Sequence, residues 1–272
     1  MVDDVDLVAF DLDDTLTPSK SAIPEPMAAA LTRLLELRPV CIITGGQLSQ
    51  ITGQVVDHLP ADVRSALHLM PTCGTRYYRV EDGEVREIYA HELPQHQRDR
   101  AAGALEREAR RLGLWEAQPW GQIIEDRGSQ VTFSALGQHA PVAAKAAWDP
   151  DGRKREALRR AVAREVPDLE VRSGGSTSID VTALGIDKAF GMKQLAEHTG
   201  VALARMLFVG DRLDEGGNDY PVKALGVPTV AVSGWEDAVA VVHDLADRFA
   251  AGAAGDDVEA RAAQPVAPRQ RP

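Results

Sequence analysis

The chain has 272 residues, 44% of them hydrophobic, enough to bury one large core or two modest ones, with two slightly favoured. Its formal charge of −11 offers no basic face for a phosphate backbone, which excludes nucleic acid as a partner. Cys41 and Cys73 lack metal-ligand spacing, Met1-Val2-Asp3-Asp4 is no basic leader and no run approaches a membrane span, so a reduced, soluble, cytoplasmic protein without a membrane partner is expected.

The first 85 or so residues alternate strand and helix patterns: strand 7–10, helix 25–37, strand 40–43, helix 47–58 and strand 67–70. Such alternation predicts a parallel sheet. Pro24 and Pro26 suit a first helical turn, while Asp82-Gly83 between two β-rich runs marks a hairpin. The texture then changes to a charged helix (95–112), short strands at 123–124 and 131–133, a basic helix (152–165) and strands at 169–172 and 177–182. Alternation resumes with helix 188–199, strand 206–209, strand 229–232 and helix 236–247. The expected fold is therefore α/β, a doubly wound parallel-sheet core formed by residues 1–88 and 184–249, with an inserted α+β module over 89–183. Residues 250–272, rich in small residues, Pro and charge, are expected to form a disordered tail.

Four polar clusters fall where predicted strands end or helices begin. The first, Asp11-Leu12-Asp13-Asp14-Thr15, crowds carboxylates at the end of a buried strand, where only a cation or a chemical role compensates their repulsion. One carboxylate there can attack phosphorus, and a second two residues on can move a proton. The second, Thr44-Gly45-Gly46, joins a hydroxyl and unobstructed amides to a helix N-terminus, an arrangement suited to anions and equally to a plain helix start. In the third, Asp187 is a good N-cap but Lys188 opposes the helix dipole, which points to a nearby anion. The fourth, Gly210-Asp211 through Asn218-Asp219, packs oxygen ligands into one glycine-rich loop, as a hard divalent ion prefers.

In this order the four segments resemble the motifs of the haloacid dehalogenase-like phosphotransferases, over nearly all of residues 5–247. The resemblance implies Asp11 as nucleophile, Asp13 as general acid/base, and Thr44, Gly45 and Lys188 as phosphate-holding groups. It also implies Mg²⁺ between Asp11, the Asp13 carbonyl and Asp211, with Asn218 or Asp219 completing the shell. The insert corresponds to an α/β cap that covers the site and chooses a small phosphorylated metabolite; a homodimer would form through it.

Within the superfamily, Gly216-Gly217-Asn218-Asp219-Tyr220, Ser173-Gly174-Gly175 through Ile179-Asp180-Val181, and Gly185-Ile186-Asp187-Lys188 look like the eukaryotic-type phosphomannomutases. That likeness implies Arg127, Lys145, Ser176 and Asp180 as cap residues for substrate. Gln138 stands where those mutases carry an arginine, and an amide cannot reproduce the bidentate fork that grips a second phosphate. Hydrolysis of sugar phosphates is therefore the favoured reading, with hexose phosphate mutase activity as the alternative. A phospho-acceptor signalling domain and a silent sugar-phosphate binder are minor alternatives.

Overall fold

The computed structural model describes residues 4–262. The chain runs β1 (Leu7–Phe10), α1 (Glu25–Leu35), β2 (Val40–Ile43), α2 (Leu48–Gln54), β3 (Leu67–Met70), β4 (Arg76–Glu81) and β5 (Glu84–Ala90). It continues through α3 (Gln95–Arg111), β6 (Ile124–Asp126), β7 (Gln130–Ser134), α4 (Val142–Trp148), α5 (Arg153–Glu165), β8 (Leu169–Ser173) and β9 (Ser178–Ala183). The last stretch holds α6 (Lys188–Thr199), β10 (Met206–Gly210), α7 (Tyr220–Ala224), β11 (Thr229–Ala231) and α8 (Trp235–Ala262).

A seven-stranded sheet of order β11-β10-β1-β2-β3-β4-β5 forms the core, parallel from β11 to β3 and closed by the antiparallel β4–β5 hairpin. Along β1 the side chains alternate between two cores. Val8 and Phe10 meet α1 and α8 on one face, while Leu7 and Ala9 meet Met192, Leu195 and Val222 on the other. A strand buried on both faces must be apolar throughout, which is why β1, β2 and β10 read as short unbroken hydrophobic runs. The fold is thus doubly wound α/β, and its parallel register brings the carboxyl ends of β1, β2 and β10 to one edge. The hairpin turns through Asp82 and Gly83 at φ +53° and +81°, the left-handed pair such a two-residue loop requires.

The insert has its own sheet, β6-β7-β9-β8, whose apolar residues pack on α3 and α5. Val131, Phe133, Ile179 and Val181 face that core, and the alternate residues Gln130, Thr132, Ser134 and Asp180 form a polar face on the opposite side. Polar residues on a covered sheet face need partners. They find many of them in one another and in the first sheet's loops.

Three features differ from the sequence reading. The short helices α4 and α7 were not expected; each is too brief to show amphipathic periodicity. Helix α2 ends at Gln54, and a 3-10 turn over Val56–His58 replaces its expected last turn. Helix α8 runs on to Ala262, into the segment read as a disordered tail, because the alanine-rich stretch after 250 has high helix propensity. The remainder of that tail, 263–272, lies outside the described residues. Among the described residues no helix is long and apolar enough to cross a membrane.

Candidate active site

β1 delivers Asp11 to the sheet edge, where the residue is 4% exposed. Lys188, the first residue of α6, is fully buried there, and its ammonium donates to Asp11 Oδ1 and to Asp219 Oδ1 at 2.5 Å each. The unfavourable charge in the first turn of α6 therefore has two carboxylates to compensate it. Asp187 caps the same turn, accepting from the Phe190 amide at 3.0 Å, so the helix start is fixed just where the cation must sit. Burial disfavours the ammonium, yet Asp11 and Asp219 hold its pKa above the ordinary lysine range.

Among the described residues, one group of carboxylates could share a metal ion: Asp11, Asp211 and Asp219 offer oxygens within 4.8 Å of one another. Burial raises the pKa of Asp11 against the pull of Lys188, and burial with the neighbouring Asp219 raises that of Asp211. Three carboxylates against one ammonium leave negative charge in excess, and a hard cation held by oxygen suits it. Asp219 belongs to this group and is fully buried, whereas its neighbour Asn218 is exposed. The loop backbone explains the choice. Asp219 Oδ2 accepts the Arg212 amide at 3.1 Å, turning that side chain inward and its neighbour outward.

Asp13 stands beside the group without joining it. Its Oδ1 accepts the Lys20 amide at 2.6 Å, and burial raises its pKa. Asp14 is exposed at φ +61° and accepts from the Ser19 amide, a turn-forming role. Thr15 Oγ1 donates to Asp211 Oδ1 at 3.4 Å, tying the first cluster to the fourth.

Thr44 follows β2 and is buried, with its hydroxyl oxygen accepting the Gly46 amide at 3.1 Å. Behind it, Thr72 and Cys73 occupy left-handed backbone at φ +48° and +56°, and their amides donate to Gly46 O and Thr44 O at 2.9 and 2.8 Å. Gly74 and Gly191 let this turn meet α6 closely: a Cβ on Gly191 would fall 2.3 Å from Ile43 Cδ1 and 2.8 Å from Cys73 O. Burial pushes the Cys73 thiol up to about 12, which removes it as a nucleophile at neutral pH.

The insert's polar face meets this loop. Arg127 Nη1 and Gln130 Nε2 both donate to Gly45 O at 3.3 Å, and Gln47 Nε2 donates to Glu125 Oε2 at 3.2 Å. Glu125 also pairs with Arg127 at 2.7 Å and accepts from Gln138, whose amide reaches Ser134 Oγ as well. Lys145 is buried and donates to Gln138 O at 2.9 Å; burial and the adjacent Lys20 lower its pKa to about 8. Asp180, its pKa raised by burial, accepts from Thr132 at 2.7 Å and Gln130 at 2.8 Å. Ser176 is exposed on the turn between β8 and β9, away from these contacts. Glu125, Gln130, Gln47 and Lys20 escaped the sequence reading. The strict alternation Gln130-Val131-Thr132-Phe133-Ser134, polar residues on one face of a strand, was the available signal.

The eukaryotic phosphomannomutase family model matches residues 117–247. A phosphomannomutase of Saccharomyces cerevisiae is 24% identical over 225 residues, 79% of this chain and 84% of the relative. Among solved structures, the IMP-nucleotidase of Plasmodium falciparum superposes with a TM-score of 0.67 at 13% identity, covering 89% of this chain and 68% of that one. Trehalose-6-phosphate phosphatase of Aspergillus fumigatus gives 0.51 at 17% identity, covering 89% and 91%. The structural likenesses speak for the fold, and the sequence matches for the likeness to the mutases. Together with the four segments converging at one sheet edge, they make the chain similar in sequence to the eukaryotic phosphomannomutases, on a fold shared with those two phosphatases.

Proposed function

We propose that this chain is a magnesium-dependent phosphotransferase that moves the phosphoryl group of a hexose phosphate through Asp11 and interconverts the 1- and 6-phosphates. The observation that carries the reading is the buried bridge of Lys188 between Asp11 and Asp219, with Asp211 alongside. A carboxylate held this way is oriented before the substrate arrives.

In the first half-reaction Asp11 attacks phosphorus, the bond from phosphorus to the sugar oxygen breaks, and Asp13 gives that oxygen a proton. In the second, a hexose monophosphate bound in the other orientation gives the proton of its free hydroxyl to Asp13 and takes the phosphoryl group, which frees Asp11 and yields hexose 1,6-bisphosphate, the phosphoryl donor of the next first half-reaction. The raised pKa of Asp13 is in the direction an acid needs. Lys188, the Thr44 hydroxyl and the Gly45 amide would hold the phosphoryl oxygens. The carboxylates of Asp11, Asp211 and Asp219 would hold Mg²⁺, which when bound offsets the charge on those oxygens. Residues 89–183 serve as the cap over a core of 1–88 and 184–249, its polar sheet face toward substrate.

The mutase half of the reading replaces the hydrolysis favoured from Gln138 alone. The matched relatives named phosphomannomutase support it, as does Lys145, buried beside Lys20 and Asp13 where a second phosphate could bind. Hydrolysis stays as the second reading for one reason: Gln138 is committed to Glu125 and Ser134 and adds no cation.

Phosphorus NMR of mannose and glucose phosphates with Mg²⁺, with and without hexose 1,6-bisphosphate, separates the two. Isomerisation stimulated by the bisphosphate is expected; phosphate release without isomerisation would establish the hydrolase instead. Full activity after exhaustive EDTA treatment would remove the metal from the scheme.

The pH dependence follows from Lys145. Its lowered pKa means that the charged form is lost as pH rises past about 8, so KM for the hexose phosphate should climb above that pH. Lys145→Met should raise KM about tenfold at pH 7 and flatten this limb, since a charged hydrogen bond contributes ~1.5–3 kcal/mol. An unchanged KM in the variant would take Lys145 out of the substrate site.

A further inference from the structure

The loop Thr44-Gly45-Gly46 has all three of its carbonyls held. Thr44 O accepts from the Cys73 amide at 2.8 Å and Gly46 O from the Thr72 amide at 2.9 Å, both inside the core. Gly45 O alone is held from the insert, by Arg127 and Gln130. A trans peptide is planar, with its C=O and the following N–H pointing opposite ways. Fixing Gly45 O therefore aims the Gly46 N–H, and that N–H is the donor to Thr44 Oγ1 at 3.1 Å. With one of its oxygen lone pairs engaged by Gly46, the Thr44 hydroxyl keeps its own proton free to donate on the remaining side. Glycine at 45 has no side chain to restrain this peptide by itself.

Gln130 is well placed to act as the restraint. It is 1% exposed, and the two protons of its amide nitrogen are shared among Thr132 Oγ1 and Asp180 Oδ1 at 2.8 Å and Gly45 O at 3.3 Å, so its rotamer is fixed by neighbours on its own sheet face. The adjacent Ser129 fastens the segment to the core through three buried hydroxyls. Thr75 Oγ1 donates to Ser129 Oγ at 2.7 Å, Ser129 Oγ donates to Thr72 Oγ1 at 3.2 Å, and Thr72 and Thr75 meet at 2.6 Å. One proton per hydroxyl satisfies the whole ring when each donates to the next. The ring also ties down Thr72, a β-branched residue at φ +48°, whose amide holds Gly46 O.

We propose that Gln130 is a positioning residue: from the insert it sets the Gly45–Gly46 peptide and thereby the direction of the Thr44 hydroxyl, with Ser129 as its anchor. This rests on reading Thr44–Gly46 as the loop that holds the phosphoryl group. It makes closure of the insert a condition for a competent loop, beyond any contact the insert makes with substrate.

Gln130→Met keeps the length of the side chain and removes its donors. Amide hydrogen exchange over residues 44–47 of the full chain, without substrate, should become about tenfold faster, the effect of one lost hydrogen bond. With hexose phosphate, kcat should fall about tenfold while KM changes little, a split that general loosening of the fold does not produce. Ser129→Ala removes a single oxygen and supplies a second variant that folds; both effects should recur in it at smaller size. Wild-type exchange rates in both variants, or faster exchange with kcat unchanged, would overturn the proposal. A wild-type chain inert toward every hexose phosphate would strike the underlying reading instead, and the proposal would fall with it.

Discussion

Asp11→Asn should lower phosphoryl transfer by at least about a thousandfold, the scale seen when a covalent nucleophile is removed. The substitution is nearly isosteric, and Lys188 keeps its 2.5 Å contact with Asp219, so the fold should survive. Inorganic phosphate should still bind, because Thr44, Gly45 and Lys188 are untouched. Intact-mass spectrometry of rapidly quenched mixtures supplies the decisive contrast. Wild-type protein should carry a transient phosphoryl group under turnover and the variant none. Asp14→Asn is the matched control: Asp14 is exposed at φ +61°, a conformation asparagine accepts, and turnover should stay within severalfold of wild type. Turnover by Asp11→Asn within tenfold of wild type would exclude Asp11 as nucleophile.

Lys188→Met should be the most damaging single change to stability. It leaves Asp11 and Asp219 buried without their shared ammonium, and breaking a buried ion pair from one side costs about 3–5 kcal/mol. The melting temperature should fall by on the order of 10 °C. Since the remaining cluster is all carboxylate, Mg²⁺ should raise the melting temperature of the variant more than that of the wild type. Activity should be lost with or without the metal. A variant that melts with the wild type would mean that the bridge contributes nothing, and the electrostatic account of the site would fail.

Both predictions concern residues that were visible in the sequence, and the reason is physical. Asp11, Thr44 and Asp211 directly follow short apolar strands, and a parallel sheet carries such strand ends to one edge whatever the intervening chain does. Lys188 stood out because a cation in a first helical turn is locally unfavourable. Asn218 and Asp219 could not be told apart, since a loop has no period to say which side chain turns inward; in the structure Asp219 is the buried one, accepting the Arg212 amide. The insert was harder for a different reason. The groups it brings to the candidate site lie on the polar side of a sheet, where Gln130, Thr132 and Ser134 look like ordinary solvent-facing residues until another unit covers them. Glu125 gives no sign in sequence that it gathers Gln47 and Gln138 beside its near neighbour Arg127, because those two lie 78 and 13 residues away. The long α8 was misjudged because alanine-rich sequence reads as low complexity and as helix alike.

The path by which the chain leaves the insert couples two parts of the molecule mechanically. Strand β9 ends at Ala183, and Lys188 opens α6 after only four intervening residues, among them exposed Leu184 and Gly185 at φ +77°. Four extended residues span at most about 14 Å, so this linker holds little slack. Any swing of the insert is taken up at Gly185 or pulled against the Asp187 cap. The cation between Asp11 and Asp219 is therefore seated at the end of a short tether from the insert, with Gly185 as the left-handed joint between them.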